Sequence, residues 1–164
     1  MNRVRSLAMN SASVDRVLAA GRAHGLEIEV SAFPAGTKTA ADAAAAIGCD
    51  VAAIVKSLVF TVDGEPVVAL VPGDRRLDTA ALGAVAGGSA VERAPLELVR
   101  EATGYAAGGT PPFGHVRVLP VFADVSLRRH DPVWAAAGTP STVFPIAIAD
   151  LERVVWPVWA DISH

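Results

Sequence analysis

The chain has a single cysteine in 164 residues, Cys49, only four histidines, and a net charge of just −3. Each shortage excludes something. One thiol rules out an intramolecular disulfide and any zinc site built from several cysteines, and it fits a reducing, cytoplasmic setting. Histidines scattered without acidic partners at ligand spacing give no reason to expect a metal. There is no uncharged apolar run of about 18 residues, and Arg3 and Arg5 lead into no export-type apolar core before Asp15, so a soluble, retained protein is expected. Near-zero charge offers nothing global to a polyanion, so any nucleic-acid contact must be local. The basic spots Arg75-Arg76 and Arg128-Arg129-His130 stand near acids and read equally well as solvated surface. A Gly-x-Ser-x-Gly elbow is missing, and Gly36-Thr-Lys-Thr39 lacks the upstream glycine of a phosphate-binding loop.

What remains is an apolar-rich chain, 52% hydrophobic and 19% charged, which predicts one domain over residues 1–164 with residues 1–12 flexible. Val14, Val17 and Leu18 predict a helix over Ser13 to His24 with Ser13 as N-cap. Ile28 to Phe33 reads as a short strand ended by Pro34-Ala-Gly36. Thr39 and Asp42 open an alanine-rich helix in capping-box fashion, and Gly48 ends it. Ile54–Val62 and Pro66–Val71 form strands joined by an Asp63-Gly64 hairpin turn. A helix follows from Leu77 to Ala86, then an extended piece at Ala90 to Arg93 and a helix from Pro95 to Gly104. Val116–Leu119, Val121–Ala123 and Ser141–Ile146 read as strands, Ala149–Val154 as a last helix, and Trp156 and Trp159 as anchors of the tail. Hairpins mixed with helices, without regular βαβ alternation, predict a mixed α+β fold with a curved mixed sheet flanked by helices.

Two features carry chemistry. Gly104-Tyr-Ala-Ala-Gly-Gly-Thr-Pro-Pro-Phe-Gly114 alternates glycine with proline, which yields a rigid loop with exposed peptide groups. It is either an irregular turn or a main-chain cradle for a small polar group. Lys56 interrupts an apolar strand and shares a face with Ile54, Leu58 and Phe60. Such a lysine either reaches water or acts as a fixed cation for a phosphate or carboxylate. His115 could serve as an acid or base or simply lead into a strand, Asp124 could cap a turn or join the site, and Cys49 reads as an inert core residue. Gly138-Thr-Pro140 is expected to turn near the same rim.

The ordered series Thr39-Ala-Ala-Asp-Ala-Ala-Ala-Ala-Ile-Gly48, Ile54-Val-Lys56-Ser-Leu-Val-Phe60, Val71-Pro-Gly-Asp-Arg-Arg-Leu77, Gly104-Tyr-x-x-Gly108-Gly109-x-x-Pro112-Phe-Gly114, Phe122-Ala-Asp124 and Ala137-Gly138 resembles the YbaK/ProX family. These are free-standing relatives of the editing domain inserted in bacterial prolyl-tRNA synthetases. The resemblance runs from about Val14 to Val154. It implies a partial barrel and hydrolysis of the ester joining a wrong amino acid to tRNA, chiefly tRNA for proline, with no metal or other cofactor. It makes Lys56 the essential cation toward the terminal phosphate. Ser57, Gly108, Gly109, Pro112, Phe113, Gly114, Asp124 and Gly138 are then expected to bind substrate, with the ribose hydroxyl helping to activate water. The implied partners are the acceptor end of aminoacyl-tRNA, contacted by Arg75, Arg76 or Arg128, and prolyl-tRNA synthetase, with the chain a monomer or weak dimer. Alanine-removing branches carry asparagine after the lysine, whereas Ser57 stands here, which favours other small residues. Two rival readings are a silent tRNA- or synthetase-binding module and a hydrolase of small esters.

Overall fold

A computed structural model describes residues 11–33 and 39–164. The turn expected at Pro34–Gly36 and most of the segment expected to be flexible lie outside the described residues. The elements, in order, are α1 (Ala12–Ala23), β1 (Ser31–Ala32), α2 (Ala40–Ile47), β2 (Ile54–Val62), β3 (Glu65–Pro72), α3 (Thr79–Ala86), β4 (Val91–Arg93), α4 (Leu96–Thr103), β5 (Val121–Asp124), β6 (Val133–Ala136), β7 (Thr142–Ile146), α5 (Ile148–Val155) and β8 (Val158–Ala160). Short 3-10 turns occupy Val51–Ala53 and Val125–Arg129. The eight strands form one mixed, unclosed sheet in the order β1-β7-β6-β2-β3-β5-β8, with β4 added alongside β2.

Local chemistry explains most boundaries. Ser11, two residues before the expected cap, accepts from the Val14 amide at 3.1 Å, while the Ser13 hydroxyl meets Arg16 instead. Thr39 and Asp42 complete the capping box of α2, and Gly48 ends it in the left-handed region at φ 84°. Asp63 and Gly64, both at positive φ, make the primed turn that matches the twist of a two-residue hairpin. Alternation then sorts side chains. Val55, Val59, Val68 and Leu70 enter the main core with Val14, Val17, Tyr105 and Phe144, while Phe60, Val62, Val67, Ala69 and Val71 pack with Leu82 on the other face.

Three expectations are corrected. Val116–Leu119 is not a strand. The Val116 and Arg117 amides bond back to the carbonyls of Thr103 and Ala102, and Val118 stands fully in solvent, so the sheet has no place for it. Of Ile28–Phe33, only Ser31–Ala32 pairs, with β7. Trp156 does not anchor the tail: it caps α5 in the left-handed region and is 83% exposed, whereas Trp159 packs on the core with the Arg128 guanidinium 4.2 Å above its ring.

The feature that positions the site is a gap beside β2. On one edge β2 pairs with β3 from Val55 to Val62. On the other, β6 pairs only with Ile54 and Val55, and β4 only with Phe60 to Val62. Between them no described strand pairs with β2. The Ile54 carbonyl accepts from Gly73 on the β3 side, whereas the Val59 carbonyl accepts from Ala94 on the β4 side. Alternation therefore turns the N–H and C=O of Ser57 toward the open stretch.

Candidate active site

The gap opens into a pocket of about 270 Å³. Its floor is small and apolar, with Phe33, Ala40, Ala43, Ile54, Trp134 and Val143. Its polar groups are Lys56, Gly108 and the hydroxyl-bearing Thr39, Ser57, Thr110 and Thr142. The Ser57 hydroxyl is buried and has no hydrogen-bond partner among the described residues. On the far side of Ser57, Leu58 and Gly108 lies a second lobe of about 200 Å³.

Lys56 sits half-buried at the pocket wall, and its ammonium donates to the Arg75 carbonyl at 2.6 Å. Burial pushes its pKa below the ordinary lysine value; Asp74 acts in the opposite sense, and Arg76 adds to the lowering. The cation is thus steered by the β3–α3 connection, where only the first arginine contacts it, and through its main chain. Arg76 exchanges backbone bonds with His164, and Arg128 bonds Glu152 and covers Trp159.

The glycine-proline loop is anchored from beneath. A Cβ on Gly109 would lie 2.8 Å from the Thr139 Cα and 2.9 Å from the Gly138 carbonyl oxygen, so this loop rests directly on the β6–β7 connection. Gly138 itself has φ 104°, and a Cβ there would lie 2.6 Å from the Ser13 carbonyl oxygen. Gly108 alone of the loop glycines named above lines the pocket, at φ 84° and exposed. Thr110 donates to the Ala106 carbonyl. His115 places Nε2 2.7 Å from the Pro111 carbonyl. A carbonyl only accepts, so that nitrogen carries the proton. Burial holds the His115 pKa down, with the Pro111 bond working against the shift.

The sequence-derived site residues therefore divide. Lys56, Ser57 and Gly108 line the pocket. Gly109 rests on Gly138 and Thr139, whereas Gly114 faces Ala20 of α1 and lies outside the pocket lining. Pro112 and Phe113 are buried, Phe113 packing edge-on against Phe144 at 5.8 Å. Asp124 lies away from the pocket, 1% exposed, accepting from the Ile162 and Ser126 amides and the Ser126 hydroxyl. Burial opposes its charge, but these bonds outweigh it and keep its pKa below the usual carboxylate value. Ala40, Ala43, Trp134 and Thr142 were missed. Ala40 and Ala43 lie within the Thr39–Gly48 motif but were not read as pocket residues, and Trp134 and Thr142 carry no motif; only the approach of α2, β6 and β7 to the gap reveals them. The Thr39 capping signal located the start of α2 but not the surface it faces.

Fold and pocket together define a mixed α/β domain with a small, largely apolar cleft, one lysine at its wall and main-chain groups at its divide. The chain belongs to the aminoacyl-tRNA editing domain family, which matches residues 34–154. Proline–tRNA ligase of Maridesulfovibrio salexigens is 42% identical over 100 residues, 61% of this chain and 17% of the ligase. YwhH of Bacillus subtilis is 32% identical over 138 residues, 83% of this chain and 87% of that protein. A crystal structure described as a candidate trans-editing enzyme for prolyl tRNA synthetase superposes with a TM-score of 0.89 at 39% identity, covering 94% of this chain and 98% of that one. The chain thus spans a small part of the ligase and nearly all of the other two. Among the described residues, no helix is long and apolar enough to cross a membrane.

Proposed function

We propose that this domain is a deacylase acting in trans on mischarged tRNA, chiefly tRNA for proline carrying a small non-cognate amino acid. The observation that carries the reading is a lysine ammonium at the wall of a small apolar pocket whose divide is a strand edge left open by every described strand. A synthetase pocket built for one small apolar side chain discriminates a near-isostere by only about 10- to 200-fold, so a second, hydrolytic site is chemically required. Ala40 and Ala43 give this pocket a floor sized for such side chains.

Water adds its oxygen to the ester carbonyl, the bond to the ribose oxygen breaks, and that oxygen takes up one of the water's two protons. The amino acid leaves as a carboxylate, the water's second proton passing to solvent. The neighbouring ribose hydroxyl relays the proton, so little is asked of side chains beyond placement and charge. Lys56 holds the terminal phosphate. At about 4 Å in an effective dielectric near 20, that attraction is on the order of 4 kcal/mol before desolvation. Ser57 and Gly108 present peptide groups to the ester and the water, while Gly109, Pro112, Phe113, Gly114 and Gly138 keep that surface rigid. Asp124 contributes by tying the tail at Ile162 to β5. The partners are the acceptor end of tRNA and prolyl-tRNA synthetase in the cytoplasm, and the protein works as a monomer or weak dimer.

The test is deacylation of tRNA for proline charged separately with alanine, cysteine, serine, threonine, 2-aminobutyrate and proline. Release of one or two small residues by the wild type, lost in Lys56→Ala, is expected. A folded protein that releases none of them would sink the proposal. Equal cleavage of free aminoacyl esters would make it a small-ester hydrolase.

A further inference from the structure

The tail that follows β8 is tied to the segment that holds Lys56. Beyond Asp161 the chain runs antiparallel to residues 76–78. The Arg76 and His164 amides each donate to the other residue's main-chain oxygen, at 2.8 and 2.9 Å, and the Asp78 amide donates to the Ile162 carbonyl at 2.7 Å. Ile162 anchors this strip. Its side chain is fully buried in a cluster with Leu77 and Leu82, and its amide donates to Asp124 Oδ1 at 3.0 Å, so a carboxylate at the end of β5 latches the tail. The strip in turn secures the β3–α3 connection, whose ends are fixed by the Pro72 carbonyl, accepting from the Arg75 amide, and by Asp78, which caps α3.

One peptide unit joins the tail to the cation. A trans peptide is planar, with its C=O and N–H pointing in opposite directions. The trans unit between Arg75 and Arg76 therefore receives the Lys56 ammonium on its carbonyl at 2.6 Å while its N–H is held by the His164 oxygen at 2.8 Å. Hydrogen bonds in series polarise one another, and here they share one plane, so the carbonyl that accepts from Lys56 is aimed by the tail. Lysine needs such a hold, being a compact charge on a flexible four-carbon stem. The other residues lining its pocket are uncharged and give it no ion-pair partner.

We propose that the tail, latched by Asp124 and paired through His164, positions Lys56, so that residues outside the pocket set where its charge stands. The consequence for turnover rests on the deacylase reading; the hold on the lysine does not. Asp124 and His164 are then positioning residues that act through the Arg75 carbonyl.

The test exploits the presence of only two lysines, Lys38 and Lys56. Lysine labelled with 13C at Cε gives two signals, Lys38→Arg assigns them, and relaxation reads the order of each. Proline has no N–H, so His164→Pro removes the amide that donates to Arg76, whereas His164→Ala keeps it. His164 is exposed, so both variants should fold, and thermal melts check them together with Asp124→Ala. The order parameter at Lys56 should drop below about 0.6, into the mobile range, in His164→Pro and Asp124→Ala and stay at the wild-type value in His164→Ala. In the same two variants kcat for the charged tRNAs named above should fall about 3- to 10-fold, the scale of losing one pre-ordered, rotamer-rich side chain. Neither substitution should lower the residual rate of Lys56→Ala, since a residue that acts through the lysine has nothing left to act on. Unchanged Lys56 order in folded His164→Pro would overturn the proposal, as would equal effects of His164→Ala and His164→Pro, or losses that persist in full on Lys56→Ala. Reduced order in a protein that deacylates none of the charged tRNAs would support the hold on Lys56 and overturn the deacylase reading.

Discussion

Lys56 carries two burdens, a bond to the Arg75 carbonyl and a charge kept in a half-buried wall. Removing it should cost little stability, about 1 kcal/mol for one charge-assisted bond, or a melting shift of about 3 °C. Turnover should fall at least about 100-fold, as for loss of a fixed electrostatic group. The ammonium is lost as pH rises through its lowered pKa. The wild-type rate, corrected for uncatalysed ester hydrolysis, should therefore decline below the ordinary lysine value of 10.5, and Lys56→Arg should shift any residual decline upward. His115 gives the complementary case for stability. Its folded pKa lies below the ordinary 6.5, so its contribution is present above about pH 6.5 and is lost as pH falls through the folded value. Urea titrations between pH 7 and 5 should show His115→Gln losing less stability on acidification than wild type.

At the scale of elements, the glycine-proline loop works because it lies flat on the β6–β7 connection. Gly109→Ala places a Cβ against the backbone of Gly138 and Thr139, which has no flexible end to yield. It should destabilise by about 1 to 3 kcal/mol and lower kcat through displacement of Gly108. Thermal melts and single-turnover deacylation check both. The same comparison shows what was legible in the sequence. The capping box at Thr39, the Asp63-Gly64 hairpin and the helix-ending glycines are local signals, and each stands where its chemistry puts it. β6 and β8 escaped notice because neither alternates enough to announce itself; Val133–Ala136 is a strand only because β2 and β7 flank it. Val116–Leu119 failed for the converse reason: a β-branched run lacks a neighbouring strand to pair with. Lys56 and Ser57 were legible as an oddity in an apolar strand, but the gap that makes them a site is a product of tertiary pairing.

At the scale of the whole molecule, three separate elements fix the depth of the pocket: α2 through Ala43, β2 through Ile54, and β6 through Trp134. Ala43→Leu adds three carbons to that floor. It should reduce kcat/KM for cysteine and 2-aminobutyrate by about 10- to 200-fold relative to alanine, the discrimination one methylene-sized contact can give. Competition between tRNAs charged with each amino acid measures the ratio directly. Equal losses for all acyl groups would mean that this pocket does not receive the side chain.

Charge distribution sets the last expectation. The chain is acidic overall, yet the proposed ligand is a polyanion, and the two views agree only if contact is confined to the acceptor end. Among the described residues, the cations lining the cleft are Lys56 and Arg93, on either side of Ser57. Each phosphate neutralised on a single strand releases condensed ions and contributes about −0.7 to the slope of log affinity against log salt. Two contacts therefore predict a slope near −1.4, shallow for a tRNA-binding protein. Screening of the body's own negative charge flattens it further, since added salt relieves repulsion while it weakens attraction. Binding of a non-hydrolysable aminoacyl hairpin, followed across salt concentrations, should show this slope, and full-length tRNA should show nearly the same. A slope of −5 or steeper for the full tRNA would require a basic surface that engages the tRNA body, which two cations at a cleft do not provide.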